Sequence, residues 1–157
     1  MVFWKSLWGK ILYTFLISMV PVFELRGAIP VGYRSGLNIW VAVAVSIIGN
    51  LVPVPFIIIF IRRIFSLLRR VNRRFDGLVT RLEKRAENKS DVVKKYSFWG
   101  LFILVAIPLP GTGAWTGALV AAMLDMRLKR AMPAIILGVT AAGITVAFIT
   151  AGVSALF

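Results

Sequence analysis

Three stretches of this chain carry no charged side chain: residues 35–61, 96–124 and 131–157. Each is at least 27 residues long, and roughly 20 mostly apolar residues suffice for a helix to cross a bilayer. A soluble domain of 157 residues would need a far more polar surface than 16% charged side chains can provide. The sequence therefore predicts an all-α integral membrane protein with a single membrane domain over residues 1–157. The start of the chain has basic Lys5 and Lys10 before an apolar run, as a signal peptide would. No small-residue cleavage site follows, and Glu24 and Arg26 stand where one is expected, so the segment reads as mature sequence.

The charge is unevenly placed. The chain has a net charge of +13, and residues 62–95 hold most of it, with basic side chains far outnumbering acidic ones. The positive-inside rule puts that segment in the cytoplasm, and the membrane, not nucleic acid, accounts for the high pI. Apolar residues Ile64, Leu68, Val71, Phe75, Leu78, Leu82 and Ala86 recur there at steps of three or four, the stripe of an amphipathic helix that Gly77 would interrupt. Arg69/Arg73 and Arg70/Arg74 are like-charge pairs four apart, which suits a surface laid on anionic headgroups; a solvated orientation signal is the plainer alternative.

With residues 62–95 inside, residues 38–61 form one span, capped by Asn38 and kinked or unwound near Asn50, Pro53 and Pro55. Residues 96–124 have basic residues on both sides, so both ends belong in the cytoplasm. Crossing and returning needs about 40 residues plus a turn, and the middle of the stretch reads PLPGTG. A re-entrant hairpin is the consistent solution: Phe98–Ile107 enters, the loop turns, and Ala114–Leu124 returns. Asp125 then caps a last span over residues 131–156.

Residues 12–37 read as a second hairpin of the same kind. Tyr13–Phe23 is an arm too short to span, ELRGAIPVG is its loop, and Tyr33–Leu37 returns to Asn38. Pro21 matches Pro108, and Leu37-Asn38 matches Leu124-Asp125, at one offset of 87. The pattern predicts an inverted repeat of hairpin plus span, a recurrent transporter plan. Lys5 and Lys10 pull the other way, towards an inside N-terminus; in the repeat, residues 2–10 with Trp4 and Trp8 act as an interfacial anchor.

Glu24, Arg26 and Arg34 are the ionisable groups among these apolar elements. Two residues apart, Glu24 and Arg26 would face different ways on a regular helix but can meet in a loop, and Arg34 can reach back from the returning arm. One reading is an internal salt bridge that pins the hairpin. The other is functional: arginines and helix N-termini after Gly27 and Gly113 make an anion site, with Glu24 carrying a coupling proton. Thr112, Trp115 and Thr116 would supply hydroxyls and an aromatic wall from the opposing loop. There is no His and no Cys, so an enzyme, a metal site and a cofactor are all unexpected.

FELRGAIPVG (residues 23–32) and IPLPGTGAWTGALVAAM (residues 107–123) resemble the small multi-drug export protein family. More distantly they are similar to DedA-like (SNARE-associated, VTT) membrane proteins. The resemblance implies opposed re-entrant hairpins and transport of lipids, including polyprenyl-phosphate carriers, with possible proton coupling. It points to Glu24, Arg26, Gly27 and Pro30 in the first motif, and to Pro108, Pro110, Gly111, Gly113 and Thr116 in the second. DedA-like proteins carry arginines around the second loop's proline; this loop has none, so anion binding rests on Arg26 and Arg34. The expected protein is a multi-pass transporter of an amphipathic anion in a prokaryotic plasma membrane, with membrane lipids as partners and homo-oligomerisation left open. A small-solute exporter and a non-transporting scaffold are the alternatives.

Overall fold

The computed structural model describes residues 6–71, 73–109 and 111–156, and every regular element among them is an α-helix. In chain order they are α1 (Leu7–Met19), α2 (Glu24–Arg34), α3 (Ile39–Leu51), α4 (Pro53–Val71), α5 (Arg73–Tyr96), α6 (Phe98–Ala106), α7 (Ala114–Met123) and α8 (Leu128–Leu156). Two helical runs, Ile39–Leu68 and Leu128–Ser154, are long and apolar enough to cross a membrane. Trp4 and Lys5, part of the anchor expected over residues 2–10, lie outside the described residues.

Asn38 caps α3 as expected, its side-chain oxygen accepting from the Trp40 N–H at 2.9 Å. Between α3 and α4, Val52 keeps helical dihedrals, φ −55 and ψ −48, and its N–H reaches the Ile48 carbonyl at 3.2 Å, so the backbone is not unwound there. Pro53 follows at the first position of α4, where its fixed φ is already helical and its missing N–H costs least. The helix continues to Val71, so the basic segment begins as the end of a long helix.

Two compact units make up the fold: residues 1–53 with 139–157, and residues 54–138. In the first, α1, α2 and α3 pack together through small residues. A side chain on Gly32 of α2 would come within 2.8 Å of the Thr14 Oγ1 and 3.1 Å of the Ala42 Cβ, and one on Gly49 of α3 would strike the Phe15 carbonyl at 2.7 Å. Close backbone approach of this kind is how helices associate where no hydrophobic drive separates them from lipid. In the second unit, α6 and α7 form a hairpin in which a side chain on Gly117 would meet Leu101 Cδ1 at 3.6 Å.

Three expectations need correction. ELRGAIPVG is not a loop; it opens α2, and the turn lies at residues 20–23, where Val22 and Phe23 are exposed. The glycines that suggested a break are there for packing. Gly77 does not interrupt α5, and the face that α5 buries carries Val79, Ala86, Ser90 and Val93, while Leu78 is 53% exposed. The side chains of Val71 and Phe75 lie outside the described residues. Asp125, expected to cap α8, stands three residues before Leu128 with φ 54, and its carboxylate accepts instead from Arg62 Nη1 at 2.5 Å.

Candidate functional site

In the first unit the sequence locus is Glu24. Apolar α1 ends at Met19, and after the turn the Glu24 N–H donates to the Val20 carbonyl at 2.8 Å. Glu24 then adopts φ 47 at the start of α2, a left-handed backbone that costs a non-glycine residue about 1 kcal/mol or more. The residue is taken into the fold, 4% exposed. An acid here also suits the positive end of the α2 dipole. Arg26 is partly buried and interacts electrostatically with Glu24. Both residues belong to α2, where the positive φ of Glu24 sets its backbone apart from the regular helix.

Arg34 does not join them. It is exposed at the C-terminal end of α2, about 15 Å along the helix from Glu24 at 1.5 Å per residue, beyond the reach of the two side chains. Its place is the favourable one for a cation on the helix dipole. Gly27, expected to precede a helix N-terminus, is already inside α2, donating its N–H to the Phe23 carbonyl at 2.9 Å. A Cβ at that position would touch the Phe23 Cβ at 3.0 Å. Pro30 is inside the helix and has no N–H to offer.

In the second unit the loop between α6 and α7 holds Pro108, Gly111, Thr112 and Gly113; Pro110 lies outside the described residues. Gly111 and Gly113 take φ 81 and φ 118, conformations that favour glycine. Thr112 is buried, with its hydroxyl 2.7 Å from the carbonyls of Ile107 and Leu109. The Thr116 hydroxyl donates to the Gly111 carbonyl at 3.1 Å. Both hydroxyl protons are thus engaged in stitching the loop, and what they can offer a ligand is an acceptor oxygen. Trp115 is partly buried in the first turn of α7, and Gly113 is the residue before that helix.

Sequence reasoning missed Arg85. Its guanidinium lies over Gly111, with Nη2 3.5 Å and Cζ 3.8 Å from where a Cβ would stand. The loop that lacks arginines in sequence therefore receives one from α5. Nothing local marks Arg85 among the many basic residues of its segment; only the packing of α5 against this hairpin singles it out. Beside α4 there is also a cleft of about 490 Å³ whose lining includes Arg62, Phe65, Ser66, Arg70, Glu83 and Met123. Arg62 is anchored there by Asp125 and by the Met123 carbonyl, 2.8 Å from Nη2. The side chains of Arg69, Arg73 and Arg74 lie outside the described residues.

The model of one protein family, described as small multi-drug export protein, matches residues 24–145, from the buried acid of α2 to the middle of α8. No curated protein and no solved structure matches the chain.

Proposed function

The chain belongs to the small multi-drug export protein family, and from that premise we propose that it moves an amphipathic anion across a membrane. The observation that carries this reading is the Glu24–Arg26 pair: a glutamate 4% exposed whose charge acts on a partly buried arginine, at the start of a short helix among apolar ones. Ionisable groups are expensive in such surroundings and are retained where a substrate or proton meets them. Arg26 supplies fixed positive charge, and Glu24 is the group that can take up a coupling proton.

Two features of the second unit support an anion with an apolar body. Arg85 brings a cation to the Gly111 loop, and the cleft beside α4 sets Arg70 next to Phe65 and Met123, with Arg62, tied to Asp125, and Glu83 also in its wall. A lipid phosphate such as a polyprenyl-phosphate carrier combines both properties, and Arg is the side chain suited to phosphate. Residues 62–95 then face the cytoplasm and gather anionic headgroups. The helices α1 and α2, like α6 and α7, are each too short to cross roughly 30 Å of hydrocarbon, and we read each pair as a re-entrant hairpin in a multi-pass protein of a prokaryotic plasma membrane. The substrate leaves unaltered, with no enzymatic step and no cofactor.

The family's description favours a second reading, proton-coupled export of small solutes. Purified protein in vesicles, offered a labelled polyprenyl phosphate, its dephosphorylated alcohol and small cationic drugs in turn, separates the two. Flux of the phosphate but not the alcohol is the expected result; flux of the cations alone would replace our reading with the second.

A further inference from the structure

Hydroxyl side chains in this chain's helices follow a habit: Thr14, Ser18, Thr145, Thr150 and Ser154 each donate to a carbonyl three or four residues back. Ser46 of α3 departs from it. Its Oγ is buried with no partner, and so are both amide atoms of Asn50, one turn later on the same face. Both residues are 0% exposed. Pro53 adds to the same place, because it has no N–H to give the carbonyl of Gly49. The donors and acceptors of Ser46 and Asn50 therefore meet no protein partner in this conformation. A helix that only filled volume would carry Ala and Leu there, which leave nothing unsatisfied.

We propose that Ser46 and Asn50 line a water path into the apolar span, closed and dry in this conformation and hydrated in another. The inference rests on the transport reading above, since a path of this kind is what a polar head would follow. An amide and a hydroxyl suit such a path, because they hydrogen-bond to water or to a passing head group without binding a charge tightly. Pro53 stands within one turn of Asn50, and a helix that lacks a backbone hydrogen bond beside a proline is where hydration can change at least cost.

The chain has no cysteine, so single-cysteine variants of the full protein in vesicles test the proposal with a charged methanethiosulfonate. Ser46→Cys and Asn50→Cys are expected to react about ten-fold faster than Ala42→Cys, which is buried, and Ile48→Cys, which points outward at 60% exposure. Equal rates at all four positions would overturn it. Should a cysteine variant not fold, Asn50→Leu decides: its thermal midpoint is expected to rise by about 2–4 °C, since the dry state no longer buries an unsatisfied amide. A fall in the midpoint would show that Asn50 makes native hydrogen bonds and would overturn the path. Neither readout needs flux, so labelling at 46 and 50 without anion transport would remove the anion and leave the path standing.

Discussion

The two helical hairpins turn around differently, and the difference separates two ways of putting polarity among apolar helices. The α1–α2 turn is short and apolar, with Val22 84% exposed, and its polarity is in side chains: a buried acid on a left-handed backbone and an arginine two residues on. The α6–α7 loop has no charged residue of its own. Its polarity is in the backbone, folded by two positive-φ glycines, stitched by threonine hydroxyls and covered by an arginine from another helix. The first hairpin is therefore expected to fail chemically when altered, and the second to fail structurally.

The largest expected effect lies in the first. Arg26→Gln should abolish flux at any pH, because the fixed charge is gone and arginine does not titrate in proteins. Glu24→Gln imitates the protonated acid, so it should keep exchange down the substrate's own gradient while losing its dependence on a pH gradient. If the pair is only a structural bridge, both single variants should fold poorly and the double Gln variant should recover stability and activity together. Flux per folded molecule for the three variants decides between these outcomes; full activity in the double would end the transport role of both residues.

In the second hairpin the corresponding change is Gly113→Ala. At φ 118 and ψ −170 an alanine is strained whatever space it has, by roughly 1–3 kcal/mol. The yield of folded protein and the thermal midpoint should both fall, while any protein that does fold transports at the normal rate. A folded but inactive Gly113→Ala protein would break the contrast, showing that this backbone contacts substrate.

A smaller effect is expected at Arg85. Arg85→Gln should reduce flux several-fold, with Arg85→Lys intermediate because it keeps the charge but loses the planar fork, and Arg81→Gln on the same helix near normal. Equal losses at Arg81 and Arg85 would mean that the segment acts through its summed charge alone.

Sequence reasoning reached the all-helical class and the two long apolar runs because they rest on long uncharged stretches, and PLPGTG, whose prolines and glycines do break the helix, separates α6 from α7. It failed at ELRGAIPVG for a physical reason. Gly27, Pro30 and Gly32 resemble the breakers of PLPGTG, but α2 absorbs all three, since Gly32 exists to admit Thr14 and Ala42. Whether a glycine frees a backbone or admits a neighbour depends on what packs there, and one sequence does not reveal that. Arg85 was hidden in the same way, one basic residue among many until α5 lay on the Gly111 loop.

The smallest effect tests what holds the end of the second hairpin. Asp125 follows α7 with φ 54, and Arg62 of α4 reaches both its carboxylate and the Met123 carbonyl. The geometry resembles a strong anchor, but the side chains are 48% and 78% exposed. Exposed pairs of this kind contribute about 0–1 kcal/mol, because water competes for both partners and long side chains lose freedom. Asp125→Asn should therefore lower the thermal midpoint by no more than about 4 °C, and the loss should shrink as salt screens the pair. Arg62→Gln should cost slightly more, since it also withdraws the donor from the Met123 carbonyl. A drop of about 10 °C or more in Asp125→Asn that salt does not reduce would mean that the pair is dry in the working protein, and that the second hairpin, like the first, depends on a buried charge.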